Sequence, residues 1–215
     1  MSRLNSSVNL VLIADVAFVG EDRIESLVAD SLPGNCRGRV MVIDRDKPQK
    51  NTPRSDRVRL ERLRKLRQLT TDRRALLVVN QRADLARVCD ADGVHLPENG
   101  LPIAVVRTLY PSLLVGRSCH ARSGLQESEE QDADWAFLSP IAHPISKPSL
   151  ATPLGIEGFG ELIRHSKIPV FALGGIVPAL RDPLIRCGAR GVAVIGHVLG
   201  APNPATALQQ LLGDC

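Results

Sequence analysis

Val170-Phe171-Ala172-Leu173-Gly174-Gly175-Ile176 and, further on, Val192-Ala193-Val194-Ile195-Gly196-His197 share one pattern: a short apolar run that breaks at glycine. A run that is apolar without alternation reads as a strand buried on both faces, as in parallel sheets. Outward from these two, similar runs occur at Leu10 to Ala14, Val40 to Ile43, Leu76 to Val79, Gly93 to Leu96, Leu113 to Val115 and Ala136 to Leu138. Segments with helical spacing follow them at Arg23 to Leu32, Ser55 to Leu69, Asp84 to Cys89, Ile103 to Leu109, Ser123 to Gln131, Gly158 to Arg164, Ala179 to Cys187 and Thr206 to Leu212. Eight strand and helix units in 215 residues predict a (β/α)8 TIM barrel, with residues 1–215 as one α/β domain. An open doubly wound sheet would carry Gly-x-Gly-x-x-Gly after its first strand, where this chain has Ala14-Asp15-Val16-Ala17-Phe18.

Composition narrows the function. Aromatic residues make up 3% of the chain, too few for the stacking platforms of a single-stranded nucleic-acid binder. A net charge of +4 favours small anionic ligands and falls short of a nucleic-acid footprint. Five scattered cysteines without a Cys-x-x-Cys pair read as reduced thiols. Val8 to Val19 is interrupted by Asp15 and too short to span a bilayer, so it reads as a buried first strand of a cytoplasmic protein. Neither a nucleic-acid nor a membrane partner is expected, and a homo-oligomer stays open.

In a barrel the chemistry sits at the C-terminal ends of the strands, and phosphate sites favour the turns after strands seven and eight. Gly174, Gly175 and Gly196 stand there; their other reading is a pair of tight turns. Arg45 and Lys47 after strand two, and Asn80-Gln81-Arg82 after strand three, would project polar and cationic groups over the mouth, with local salt bridges as the alternative. Ser118 and His120 end strand five. The loop Pro140 to Pro148 offers Ser146, Lys147 and His143, the last a candidate acid or base. His95 reads as a hydrogen-bonded residue of the barrel interior. The Arg-rich stretch Arg54 to Arg74 reads as a solvated helix face.

Asn80-Gln81-Arg82-Ala83-Asp84-Leu85-Ala86, Ala91-Asp92-Gly93-Val94-His95-Leu96, Val115-Gly116-Arg117-Ser118-Cys119-His120 and Ala133-Asp134-Trp135-Ala136-Phe137-Leu138-Ser139-Pro140-Ile141 resemble, in order and spacing, the thiamine phosphate synthase and TenI (thiazole tautomerase) superfamily. The resemblance continues through Ile168 to Ile176 and Gly188 to Ile195, nearly the whole chain. Gly93 to Pro97, Ser118 to His120, and Leu138 to Ile141 through Leu154 to Phe159 resemble the branch fused behind a Nudix hydrolase.

The synthase reaction implied is ionisation of hydroxymethylpyrimidine diphosphate, capture of the cation by thiazole phosphate, and release of pyrophosphate. The resemblance puts Arg45, Lys47 and Lys147 on pyrophosphate, Ser146 beside Lys147, Asn80 and Ser118 on the pyrimidine, and Gly174, Gly175 and Gly196 on the thiazole phosphate. Ile43 stands where the family has Gln. The family's Mg2+ carboxylates fall at Gln81 and Gly100, so no residue is assigned to metal; Glu98 is the nearest substitute. The tautomerase's histidine falls at Pro140, which leaves His143 or His120 to carry a proton. A non-catalytic binder of a phosphorylated thiazole is the remaining alternative.

Overall fold

Each apolar run pairs in parallel with the next, and the eighth returns to the first, closing a barrel in sequence order. The structure is a computed structural model and describes residues 2–47, 55–143 and 152–213. Its strands are β1 (Leu10–Asp15), β2 (Val40–Arg45), β3 (Leu76–Asn80), β4 (Gly93–Leu96), β5 (Leu114–Cys119), β6 (Trp135–Leu138), β7 (Val170–Leu173) and β8 (Gly191–Val194). The helices are α1 (Val16–Val19), α2 (Glu21–Ser31), α3 (Asp56–Asp72), α4 (Ala83–Val88), α5 (Ile103–Leu109), α6 (Arg122–Glu130), α7 (Gly155–Ile163), α8 (Pro178–Arg186), α9 (Gly196–Leu199) and α10 (Pro204–Leu212). This is the expected (β/α)8 TIM barrel.

Side chains alternate along a strand, and here both directions are buried. Leu10, Leu12, Val40, Val42, Leu77 and Val79 face out under the helices, whereas Val11, Ile13, Met41, Ile43, Val78, Trp135, Phe137 and Phe171 fill the barrel. The interior is fitted by pairing large with small: a Cβ on Gly116 would come within 2.0 Å of Trp135 Cε2. Truncating Trp135 or Phe137 to Ala is expected to cost ~3–5 kcal/mol. Local caps start the outer helices. Ser55 Oγ accepts from Val58 N at 3.3 Å before α3, and Asn203 Oδ1 accepts from Thr206 N at 3.0 Å before α10.

Three departures from the sequence reading matter for the site. Strand β5 runs on from Val115 through Gly116, Arg117 and Ser118 to Cys119, because Arg117 is neutralised by Glu127 at 2.8 Å and Gly116 admits Trp135. Helices α1 and α9 are one turn each and follow β1 and β8 directly, too short to leave a period in the sequence. Arg59 and Arg62 of α3 are buried, not solvated, because Asp44 of β2 pairs with both. Among the described residues, no helix is long and apolar enough to cross a membrane, and Cys36, Cys89, Cys119 and Cys187 are free thiols.

Candidate ligand site at the barrel mouth

Every second residue of a strand points into the barrel, so the last inward residue of each strand reaches its C-terminal mouth. Beyond the apolar floor of Ile13, Ile43, Phe137 and Ala193 come Asp15, Arg45, Asn80, His95, Ser118 and Ser139, lining a cavity of about 580 Å³. Lys47, Glu98, His120, Gly174, Gly175, Gly196 and His197 also line it.

The cavity has three distinct sectors. On one side Arg45 forms an ion pair with Asp15, which also caps α1 by accepting from Ala17 N at 3.1 Å. Opposite, His95 Nε2 and Ser118 Oγ share a hydrogen bond of 2.9 Å, and the His95 ring stacks on Phe137 with centroids 4.2 Å apart. Burial first, then the charge of Arg45, pushes the His95 pKa down to about 3, so this imidazole stays neutral. The third sector is the glycine turn after β7. Gly174 and Gly175 hold φ of 98° and 66°, and a Cβ on Gly175 would lie 2.7 Å from the Ala142 carbonyl carbon. Their turn is pinned to the loop after β6 by Ile141 N to Leu173 O at 3.0 Å and Ala142 N to Gly174 O at 2.9 Å.

His120 Nδ1 lies 2.7 Å from the Ser139 carbonyl oxygen. A carbonyl only accepts, so Nδ1 carries the proton, and in the neutral ring Nε2 then holds a lone pair. Asn80 Nδ2, His95 Nδ1 and His197 Nε2 are buried with no hydrogen-bond partner among the described residues, and all three residues line the cavity. A buried polar atom without a partner costs ~1–3 kcal/mol, which a ligand hydrogen bond offsets.

Of the residues singled out in the sequence, Arg45, Lys47, Asn80, Ser118, His120, Gly174, Gly175 and Gly196 converge on this cavity. Ser146 and Lys147 lie outside the described residues. His143 is exposed and is not among the residues that line the cavity. Arg82, expected over the mouth, instead bonds Asp56 at 2.6 Å and Asp84 at 2.6 Å, as local salt bridging would have it. Sequence reasoning passed over Asp15, which ends β1 but matches no motif; His197, read only as part of the segment after strand eight, and His95, read only as a core residue, also line the cavity.

The positions that the resemblance assigns to Mg2+ do not fit a cation. Gln81 is an exposed amide with φ of 67°, and Gly100 has no side chain. The cavity's carboxylates among the described residues are Asp15, engaged by Arg45, and Glu98, whose Oε1 accepts from His120 N at 3.2 Å. No cluster of three His, Cys, Asp or Glu able to hold a metal occurs among the described residues. The sequence of 48–54 and 144–151 contains no Asp, Glu, His or Cys, so those segments bring no carboxylate to the mouth.

A closed parallel barrel whose polar groups gather at the C-terminal mouth, with a glycine turn after β7 and with Gly196 opening α9 after β8 where the sequence suggests a second turn, defines a (β/α)8 barrel with a polar mouth. Within that class the chain belongs to the thiamine monophosphate synthase (TMP-TENI) family, whose model matches residues 10–198. It is 43% identical over 161 residues to a thiamine-phosphate synthase of Parasynechococcus marenigrum (strain WH8102), covering 74% of this chain and 46% of the relative. The chain thus spans less than half of that relative's length. A thiamine-phosphate synthase of Roseiflexus sp. (strain RS-1) is 34% identical over 93% of this chain and 82% of its own. Among solved structures, thiamine phosphate pyrophosphorylase from Pyrococcus furiosus superposes with a TM-score of 0.79 at 29% identity, covering 96% of this chain and 94% of that one.

Proposed function

We propose that the chain is a thiamine phosphate synthase-like transferase acting as one barrel domain, joining hydroxymethylpyrimidine diphosphate to thiazole phosphate with release of pyrophosphate. The observation that carries this reading is the set of unpartnered buried atoms on Asn80, His95 and His197, a polar lining that awaits a heterocyclic, phosphorylated ligand. Asn80, His95 and Ser118 hold the pyrimidine. Arg45, Lys47 and Lys147 hold the departing pyrophosphate, with Ser146 beside it, and stabilise the charge that builds on its oxygens as the C–O bond breaks. The turn at Gly174 and Gly175, together with Gly196 at the start of α9, holds the thiazole phosphate, whose ring nitrogen captures the pyrimidine cation.

The family is Mg2+-dependent in general. Because Gln81 and Gly100 replace its carboxylates, no step is assigned to the metal in this chain, and the cationic side chains carry the pyrophosphate. The loop sequences favour the branch fused to Nudix hydrolases, and the protein works in the cytoplasm on small molecules, without nucleic acid.

A second reading rests on His120: its Nε2 lone pair at the cavity wall suits a proton transfer on a thiazole, as in a tautomerase. His143 supports this reading less, being exposed outside the cavity. Incubation with both substrates, in Mg2+ and in EDTA, separates these possibilities. Thiamine phosphate and pyrophosphate in EDTA is the expected result; product only with Mg2+ makes Glu98 the substitute ligand. No product, with thiazole isomerisation that is lost in His120→Ala, moves the assignment to the tautomerase. Thermal stabilisation by thiazole phosphate without any turnover leaves a binding protein.

A further inference from the structure

Outside the cavity lies a charged cluster that the proposed chemistry does not use. Asp44 is fully buried and Arg62 is 1% exposed, yet the two meet beneath α3 with Arg62 Nε donating to Asp44 Oδ1 at 2.8 Å. Arg62 Nη2 donates to Asp46 Oδ2 at 2.9 Å, and Nη1 donates to Glu21 of α2. One helix turn earlier, Arg59 Nε reaches Asp44 Oδ2 at 3.3 Å while its Nη2 donates to the Asn80 carbonyl at 2.9 Å.

Burying these charges is not an efficient way to gain stability, since apolar side chains of similar volume commonly do as well. Their placement serves geometry instead. The β2 to β3 ladder ends at the pair Asp44 and Val79. The next residues on the two strands, Arg45 and Asn80, line the cavity. Alternation couples the two faces: a strand that fixes Asp44 outward must present Arg45 inward. Asp46 lies beyond the end of β2, where no ladder holds the backbone, and Arg62 extends the restraint to it.

We propose that Arg62 and Arg59 are positioning residues of the anion site: from outside the barrel they hold the ends of β2 and β3 so that Arg45, Lys47 and Asn80 converge on a diphosphate. The inference rests on the reading of Arg45 and Lys47 as the anion grip, and pyrophosphate binding followed by calorimetry tests the two separately.

Two variants probe the clamp. Asp46→Asn keeps the buried Asp44 and Arg62 pair, and the double variant Asp44→Leu with Arg62→Met replaces that pair by apolar side chains. Arg57→Gln, on the exposed face of the same helix, is the control. Expected is a loss of pyrophosphate affinity of about tenfold or more in both clamp variants, with cooperative unfolding retained and the control unchanged. In turnover the loss falls on KM for the diphosphate, which a purely structural role would not single out. Folded Asp46→Asn or double variant with wild-type affinity overturns the inference and leaves the anion grip standing. Wild-type protein that fails to bind pyrophosphate removes the anion grip, and the inference with it.

Discussion

His95 Nε2 and Ser118 Oγ, on neighbouring strands, meet at 2.9 Å inside the barrel mouth, so a single hydrogen bond joins the core to the ligand cavity. The bond keeps a neutral imidazole stacked on Phe137 at the cavity wall.

Acid should therefore weaken the fold through His95. Its pKa falls from 6.5 to about 3 on burial, so below pH 6.5 the unfolded chain binds the proton that the folded chain refuses. Stability is fully present above that pH and is lost as pH falls toward 3, by on the order of 1.4 kcal/mol per pH unit for one proton. Urea unfolding between pH 7 and pH 4 measures the slope, and His95→Gln flattens it; an unchanged slope in that variant assigns the acid sensitivity to other groups.

Removing the hydroxyl in Ser118→Ala leaves His95 Nε2 buried without its partner. The expected loss is ~1–3 kcal/mol of folding stability, read from the urea midpoint at pH 7, together with weaker binding of the proposed substrate hydroxymethylpyrimidine diphosphate.

Gly175→Ala forces a side chain into a backbone with φ of 66° and to within 2.7 Å of Ala142. The turn must then move away from the loop after β6. Thiazole phosphate affinity is expected to drop by about tenfold or more, while the far-UV circular dichroism of the barrel stays unchanged; wild-type affinity would show that the turn takes no part in binding.

Arg82 supplies a contrast. Hydrogen bonds from Arg82 lower the carboxyl pKa of both Asp56 and Asp84, yet these groups are largely solvated. Arg82→Ala should cost less than ~1 kcal/mol, shrinking further in high salt, and leave substrate KM unaltered.

Much of the barrel was legible in the chain. Strands β4 and β7 have the bounds that their apolar runs predict, because burial on both faces leaves an unbroken hydrophobic signal, and α5 has the bounds of its helical spacing, which puts Ile103 and Val106 against the core. The apolar signal of strand β5 stops at Val115, since Gly116 and Arg117 carry none and become strand residues only when Trp135 and Glu127 come alongside. The glycine turn after β7 and the polar strand ends of the site were readable from position alone. Asp15 was not, because its partner Arg45 lies on the next strand, and neither was His197, because only the fold buries its Nε2 beside the cavity.

The eight-unit alternation, the closed parallel barrel and the end of it where polar residues collect are readable from the chain alone, since they follow from the local spacing of apolar side chains. Which charges line the cavity follows only from how distant segments pack. Arg59, Arg62 and Arg82 look alike as letters, yet the first two are buried against Asp44 and the third is spent on surface carboxylates. Arg45 reaches the cavity beside Asp15 instead. Electrostatic partners are chosen by distance in space, and barrel closure brings together residues that no local pattern relates.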